Sequence, residues 1–190
     1  MVASKLRRAD DSNFRSAMSQ AVTGVNVVTT DGPSGRYGLT VSAVSSVSAE
    51  PPMLLVCVNQ TSIACGAIER NGAFAVNVLD AGQQAIAETF AGSDAHGGPY
   101  IFNEGDWAQA VTSSPVLKRA VATFDCRITD CIPAGSHKIF IGLVLAASES
   151  PGTPLLYTSR KYGRPVQQTK WSSRAGLIAG TKNVLEQICA

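Results

Sequence analysis

Between Gly38 and Asn59 the chain reads GLTVSAVSSVSAEPPMLLVCVN, which places five small hydroxyls, Thr40, Ser42, Ser45, Ser46 and Ser48, just before an acid, two prolines and an apolar run. Serine and threonine with no histidine or aspartate close in sequence are poor nucleophiles. Together with backbone N–H groups they are good neutral donors to a phosphate, a polyol chain or the edge of a heterocyclic ring. The stretch therefore suggests the holding of a cofactor and not covalent catalysis. Alternation of Thr40 and Ser42 with Val41 and Ala43 is also what a solvated strand face would show, so the order of the surrounding residues has to decide. Ser62 opens a helical pattern directly after a strand-like run, and the N–H groups of such a junction suit a phosphate, although every strand-to-helix junction looks this way.

The remaining candidates are sparse. The chain has two histidines, His96 and His137, and neither stands in metal-ligand spacing with a cysteine, which argues against a zinc site. Five cysteines are an odd number with no Cys-x-x-Cys pair, and they sit mostly among apolar neighbours, as reduced buried thiols do. No Gly-x-Gly-x-x-Gly follows a strand, and Gly176 to Lys182 lacks the spacing of a phosphate-binding loop, so neither common dinucleotide framework is supported.

The elements that must position these residues follow from periodicity. Asp10, Asp11 or Ser12 can cap a first helix carrying Phe14, Ala17, Met18, Ala21 and Val22, closing at Gly24. Val25 to Thr30 and Tyr37 to Val44 flank Asp31-Gly32-Pro33-Ser34-Gly35 and predict a hairpin. Met53 to Asn59 reads as a strand buried on both sides, and Pro51-Pro52 sets the bend before it. A helix from Ser62 to Asn71 closed by Gly72, a strand over Phe74 to Leu79, a short helix over Gln83 to Phe90 and a long loop from Ala91 to Asp106 come next. Ala120 to Ile132, Lys138 to Ala147 and Leu155 to Tyr157 complete six or seven antiparallel strands, with the turn Pro133-Ala134-Gly135-Ser136 carrying His137. At 190 residues, 45% hydrophobic, the chain suits one domain with a sizeable core. A net charge of +2 with interspersed signs gives no basic stripe for nucleic acid and no polybasic membrane anchor. No run of about 18 apolar residues and no signal-like apolar segment occurs, so a soluble cytoplasmic protein is expected.

The pattern resembles the short-chain flavin reductase family, the reductase components of two-component flavin monooxygenases of the 4-hydroxyphenylacetate and phenol hydroxylase type. The matching residues are Phe14 to Met18, Thr23-Gly24-Val25, Val27 to Thr30, Gly38 to Ala43, Ser45 to Ser48, Pro51-Pro52, Phe74 to Leu79, Phe90-Ala91, Gly135-Ser136-His137, Ile141-Gly142 and Pro154 to Tyr157. They keep the family's order over roughly residues 12 to 162. Ser136 departs from the family's Gly-Asp-His turn.

The resemblance implies a mainly β chain with short helices, an FMN-binding split β-barrel over residues 1–162, usually a homodimer, followed by a tail over 163–190 that lies outside it. It implies hydride transfer from NADH, or NADPH, to FAD or FMN, and delivery of reduced flavin to a partner monooxygenase. Thr40, Val41, Ser42 and Ala43 would then line the isoalloxazine edge, while Ser45, Ser46, Asn59, Gln60 and Ser62 hold ribityl and phosphate. Phe90 and Ala91 would border the flavin, unless Phe90 is a plain core residue. Tyr157 and Tyr162 would reach the cofactors. His137 would contact the nicotinamide nucleotide, or merely cap its hairpin. In the tail, Leu177, Val184, Leu185 and Ile188 hint at a short amphipathic helix, equally a dimer clasp or a frayed end. Two other readings stay open: a non-catalytic flavin- or heterocycle-binding barrel, and an oxidase holding FMN tightly.

Overall fold

The structure, a computed structural model, describes residues 9–92, 102–103 and 105–166. The expected tail helix, His96 and most of the loop expected over 91–106 lie outside the described residues. Helices α1 (Asp11–Met18), α2 (Ile63–Asn71) and α3 (Gln84–Phe90) accompany twelve strands. In chain order these are β1 (Thr23–Gly24), β2 (Asn26–Thr30), β3 (Tyr37–Val41), β4 (Val44–Ala49), β5 (Pro52–Asn59), β6 (Ala73–Val78), β7 (Trp107–Gln109), β8 (Pro115–Leu117), β9 (Ala122–Ala134), β10 (His137–Glu149), β11 (Leu156–Thr158) and β12 (Lys161–Gly163). Seven of them form one antiparallel sheet in the order β3-β2-β6-β9-β10-β5-β4, with β1-β11-β12 and β7-β8 as small separate sheets.

The link between β3 and β4 shapes this sheet. They are its two edges, yet only Ser42 and Ala43 separate them in the chain. Laid flat, seven strands would hold their edges about 29 Å apart. Val41 to Val44 is three Cα steps and spans at most about 11 Å. The sheet must therefore curl until its edges nearly meet, but no ladder joins β3 to β4, so the barrel stays open along that seam.

Adjacent residues of β2 face opposite sides, and all five are buried. Val28 joins Val56, Val58, Phe74, Val76 and Phe140 inside the curl, where Ile68 of α2 plugs the space. Val27 faces the other way and packs with Leu79, Phe90, Leu117 and Leu155 under α3 and the β7-β8 hairpin. Asn77 ties that second layer down, donating from Nδ2 to the Val27 carbonyl at 3.0 Å and accepting from the Leu117 N–H at 2.7 Å.

Several expectations hold locally. The β2-β3 hairpin forms across the 31–35 turn, and α2 runs to Asn71 with Gly72 at its C-cap in the left-handed region, φ 70°. Others shift for physical reasons. α1 ends at Met18 and not at Gly24, because Thr23 and Gly24 pair with Tyr157 and Leu156 as a strand. Val44 to Ala49 forms its own strand, hydrogen-bonded to β5, instead of continuing β3. Strict alternation along β9 fails at Asp125 and Cys126, which are both buried. Asp125 is accommodated because its carboxylate accepts from the Thr112 N–H at 2.8 Å and from the Thr112 hydroxyl. The same burial pushes the Cys126 thiol up to about 12.

Gly142 marks a close approach within the core. A Cβ there would lie 2.8 Å from Cys126 Cβ and 2.8 Å from Phe74 Cζ. Gly142→Ala should therefore lower the unfolding free energy by about 1–3 kcal/mol, the usual cost of overpacking, with an unchanged denaturant slope. Urea titration followed by circular dichroism checks this.

Candidate functional site

Two cavities meet on the α3 side of β3. One, of about 210 Å³, is lined by Val25, Thr40, Val41, Ser42 and Ala91, with Tyr157 and Tyr162 along one wall. The other, of about 280 Å³, runs from Leu39, Thr40 and Ala91 past Thr89 and Phe90 to Ser62. Thr40 and Ala91 belong to both, so the two form one groove alongside the seam of the barrel.

Each wall has a local cause. Gly38 leaves room for Phe90, whose Cε1 would lie 2.6 Å from any Cβ added there, and this close approach seats the last turn of α3 on β3. Phe90 is consequently 5% exposed and packs edge to face with Phe102 and Trp107, at centroid distances of 5.2 and 5.6 Å, while its ring still lines the groove. It is both a core residue and a wall of the groove. The Thr40 hydroxyl donates to the Ala87 carbonyl at 2.7 Å, which fixes it against α3 and leaves its oxygen as an acceptor. Tyr157 and Tyr162 are direct cross-strand partners, edge to face at 5.2 Å. Burial, then the charge of Glu88, raises the Tyr162 phenol, so it stays a neutral donor.

The groove is electrostatically plain. Among the described residues, no lysine, arginine, aspartate or glutamate lines either cavity. Ser62 is the N-cap of α2 but makes no side-chain cap bond. Its hydroxyl thus stays available beside the α2 N-terminus, where N–H groups carry partial positive charge. The donor set is neutral hydroxyls, phenols, backbone amides and one helix end. That set fits a phosphate-bearing planar cofactor such as a flavin, which Thr40, Ser42, Ala91, Ser62 and the tyrosine pair would hold.

His137 and its neighbours form a second group at the Ser62 end. His137 opens β10 directly opposite Asn59, and its Nδ1 lies 2.8 Å from the Ser136 hydroxyl. The Gln60 N–H donates to the Ser136 carbonyl at 3.0 Å, and its side-chain amide donates to the Gly135 and His137 carbonyls at 2.9 and 3.1 Å. Gln60 therefore ties the His137 turn to the segment leading into Ser62. Asn59 accepts from the Thr61 N–H and hydroxyl at 3.0 and 2.9 Å, closing that turn on itself. Next to it, Lys138 and Glu69 pair at 2.6 Å, clamping α2 to β10 and lowering the Glu69 carboxyl. His137 lines neither cavity.

Ala43, Ser45 and Ser46 also line neither cavity. Ala43 sits in the seam, its carbonyl accepting from the Cys57 N–H at 3.0 Å. Ser45 lies opposite Leu55 and Ser46 opposite buried Leu54, so the two serines face opposite sides of β4. Sequence reasoning missed Val25, Leu39, Thr89 and Gly92 as wall residues; they lack polar side chains apart from Thr89, and only the fold brings them to β3. Gly38 was legible in principle, since a glycine inside a strand often marks a close approach.

A family model described as the flavin reductase-like domain matches residues 18–165. A protein of Variovorax paradoxus described as FMN reductase (NADH) RutF is 43% identical over 151 residues, 79% of this chain and 83% of its own length. The solved structure of BorF, the flavin reductase component of a bacterial two-component tryptophan halogenase, superposes with a TM-score of 0.76 at 33% identity, covering 84% of this chain and 100% of that one. The NADH:FAD oxidoreductase SgcE6 of Streptomyces globisporus C-1027 gives 0.76 at 31% identity, over 86% and 99% of the two chains.

A serine-to-alanine change at an N-cap costs about 1 kcal/mol when the cap bond exists. Ser62→Ala should cost under about 0.5 kcal/mol, as at an ordinary surface position. Asp80→Ala should cost about 1–2 kcal/mol, because Asp80 accepts from the Gly82 and Thr153 N–H groups at 2.8 Å each. Paired denaturant titrations check the contrast.

Proposed function

The chain belongs to the flavin reductase-like domain family, and we propose that it is an NADH:flavin oxidoreductase that reduces FMN or FAD and releases it to a separate flavin-dependent oxygenase. The observation that carries this reading is the groove beside the barrel seam, whose described walls carry no charged side chain. Neutral donors hold a flavin loosely enough to be exchanged, which a shuttle between two proteins requires. A flavin bound there supplies hydride acceptance from a reduced nicotinamide. The protein needs no strong acid or base for that step and acts by aligning the two rings and excluding water.

Within this reading Thr40, Val41, Ser42 and Ala43 meet the ring edge, Ser62 and the α2 N-terminus take the phosphate, and Tyr157 and Tyr162 bound the site. Ser45 and Ser46 belong to the opposite lip of the seam, with Ser46 on the inner side. His137, held by Ser136 and the Gln60-supported turn, contacts the nicotinamide nucleotide from the Ser62 end. The relatives' descriptions support the activity: one is described as an NADH-dependent FMN reductase, one as an NADH:FAD oxidoreductase, and one as the reductase component of a halogenase system. Cytoplasmic location follows from the substrates, since NADH and free flavin are both drawn from that pool.

A homodimer belongs to the same proposal. Helix α1 buries none of its residues and leaves Phe14 and Met18 60% and 53% exposed, although a helix this short is not stable alone in water. The outer face of the sheet carries Met53, Leu55, Ile139, Ile141, Leu143 and Leu145, all partly or largely exposed. A second copy covering both surfaces explains them, and light scattering after gel filtration should give twice the chain mass.

The test is direct. Purified protein with NADH and either flavin should consume absorbance at the nicotinamide band, and dialysed, colourless protein should recover its full rate on adding flavin back. His137→Ala should raise the KM for NADH several-fold with nearly constant flavin affinity. Flavin binding without NADH oxidation would favour the non-catalytic barrel, and flavin retained through extensive dialysis would favour a tight-FMN oxidase.

A further inference from the structure

Charges of both signs mix over most of the chain but separate toward its end. Residues 156–190 hold six of the sixteen basic residues and one of the fourteen acidic ones, which leaves ten basic and thirteen acidic residues in 1–155. Among the described residues this excess is Arg160, Lys161 and Arg164, all exposed. Arg160 and Lys161 stand at the tip of the β11-β12 hairpin, and Arg164 follows β12 directly, within about 11 Å of Lys161 by the reach of three Cα steps. None of the three side chains has an ion-pair or hydrogen-bond partner among the described residues, and none lines the groove. Tyr157 and Tyr162 of the same hairpin do line it, so the cations stand at the tyrosine wall of the groove. Glu88 is the acid whose charge reaches this wall, and its carboxylate accepts from the Gln84 amide at 2.8 Å. The residues outside the described set are themselves net basic, six lysines and arginines against three acids, and so bring no neutralising excess.

The tip is held in a costly shape. Thr158 pairs with Lys161, so Ser159 and Arg160 form a two-residue loop, and both have left-handed backbones, φ 49° and 61°. Such loops favour asparagine and glycine, which enter that region with the least penalty. Here the end of α1 holds the loop. The Ser159 N–H donates to the carbonyl of Ser19, the C-cap of α1, and the Thr158 and Ser159 hydroxyls donate to the Gln20 carbonyl and side-chain Oε1, each at 3.3 Å. Strain kept at a fixed, exposed position points to a use for the side chain it displays. We propose that Arg160, with Lys161 and Arg164 beside it, docks an acidic surface of the enzyme that takes up the reduced flavin. This rests on the flavin reductase reading. Dioxygen reoxidises free reduced flavin, so a receiver seated at the tyrosine wall shortens the passage in which the product is lost. Clustered, unpaired cations beside the exit steer an anionic partner and fix its orientation. Three cations are few for nucleic acid, whose binders contact about six to ten phosphates.

The test is surface plasmon resonance against the purified flavin-dependent oxygenase encoded nearest to this chain in its own genome. The parent should bind it, with association slowing as salt rises. Reversing two charges, Arg160→Glu with Lys161→Glu, should cut the association rate about tenfold, while NADH oxidation with free FMN stays at the parent rate. Arg160→Gly separates docking from a structural role. It relieves the left-handed backbone, so the urea midpoint should rise, yet binding to the oxygenase should weaken several-fold. A glycine variant that gains stability and keeps full binding overturns the proposal, and so does a charge-reversed variant that binds like the parent. A short DNA duplex that binds the parent more tightly than the oxygenase does would reassign the patch to nucleic acid and overturn it as well. A parent that oxidises NADH but does not bind the oxygenase overturns the docking alone, whereas one that oxidises no NADH with either flavin overturns the reductase reading and the docking with it.

Discussion

Two residues, Ser42 and Ala43, have to bridge the two edges of a seven-stranded sheet, and the geometry of the molecule follows from that short tether. It forces the sheet to curl, which creates the inner core of Val28, Val56, Phe74 and Phe140, and it leaves a seam where the edge strands approach without pairing. A seam exposes backbone donors and small side chains beside a rigid wall. The groove along Thr40, Ser42 and Ala91 is the place where this fold offers polar groups to a ligand without breaking a ladder.

The second consequence is electrostatic. The described salt bridges, Arg36 with Asp31 at 2.8 Å and Lys138 with Glu69 at 2.6 Å, brace turns and helix ends and do not reach into the groove. A cofactor phosphate there meets hydroxyls and one helix N-terminus, interactions worth about 1 kcal/mol apiece in place of a desolvated ion pair. An enzyme that must give its flavin away gains from that weakness. Aromatic packing around Phe90 keeps α3 pressed on β3, so a site that holds its ligand loosely is still rigid.

Much of this could be read from the residues in order. Turn chemistry at 31–35, the Ser62 to Gly72 helix and the hydroxyl-rich run before Pro51-Pro52 are local signals, and the structure keeps each of them, whereas the turn expected over 133–136 narrows to Gly135-Ser136 because Pro133 and Ala134 pair with Lys138 and His137 in the β9-β10 ladder. What escaped was set by pairing over long distances. β7, β8 and β12 are three residues each, too short to show a period, and exist because of their partners. Val44 to Ala49 hid as a strand because its serines face both sides of an edge. The groove was half legible: Thr40, Ser42, Ser62, Phe90, Ala91, Tyr157 and Tyr162 do come together, whereas Leu39, Thr89 and Gly92 carry no sign of their position until α3 folds onto β3. Gln60 ties His137 toward that ensemble through hydrogen bonds spanning more than 70 residues of sequence.

Whether the seam holds the flavin is decided by a crystal structure of the protein soaked with FMN. The isoalloxazine edge should lie along Thr40 to Ala43, with the phosphate at Ser62 and the α2 N-terminus. A flavin bound elsewhere, with its ring away from β3 and its phosphate on lysine or arginine side chains, would contradict this placement.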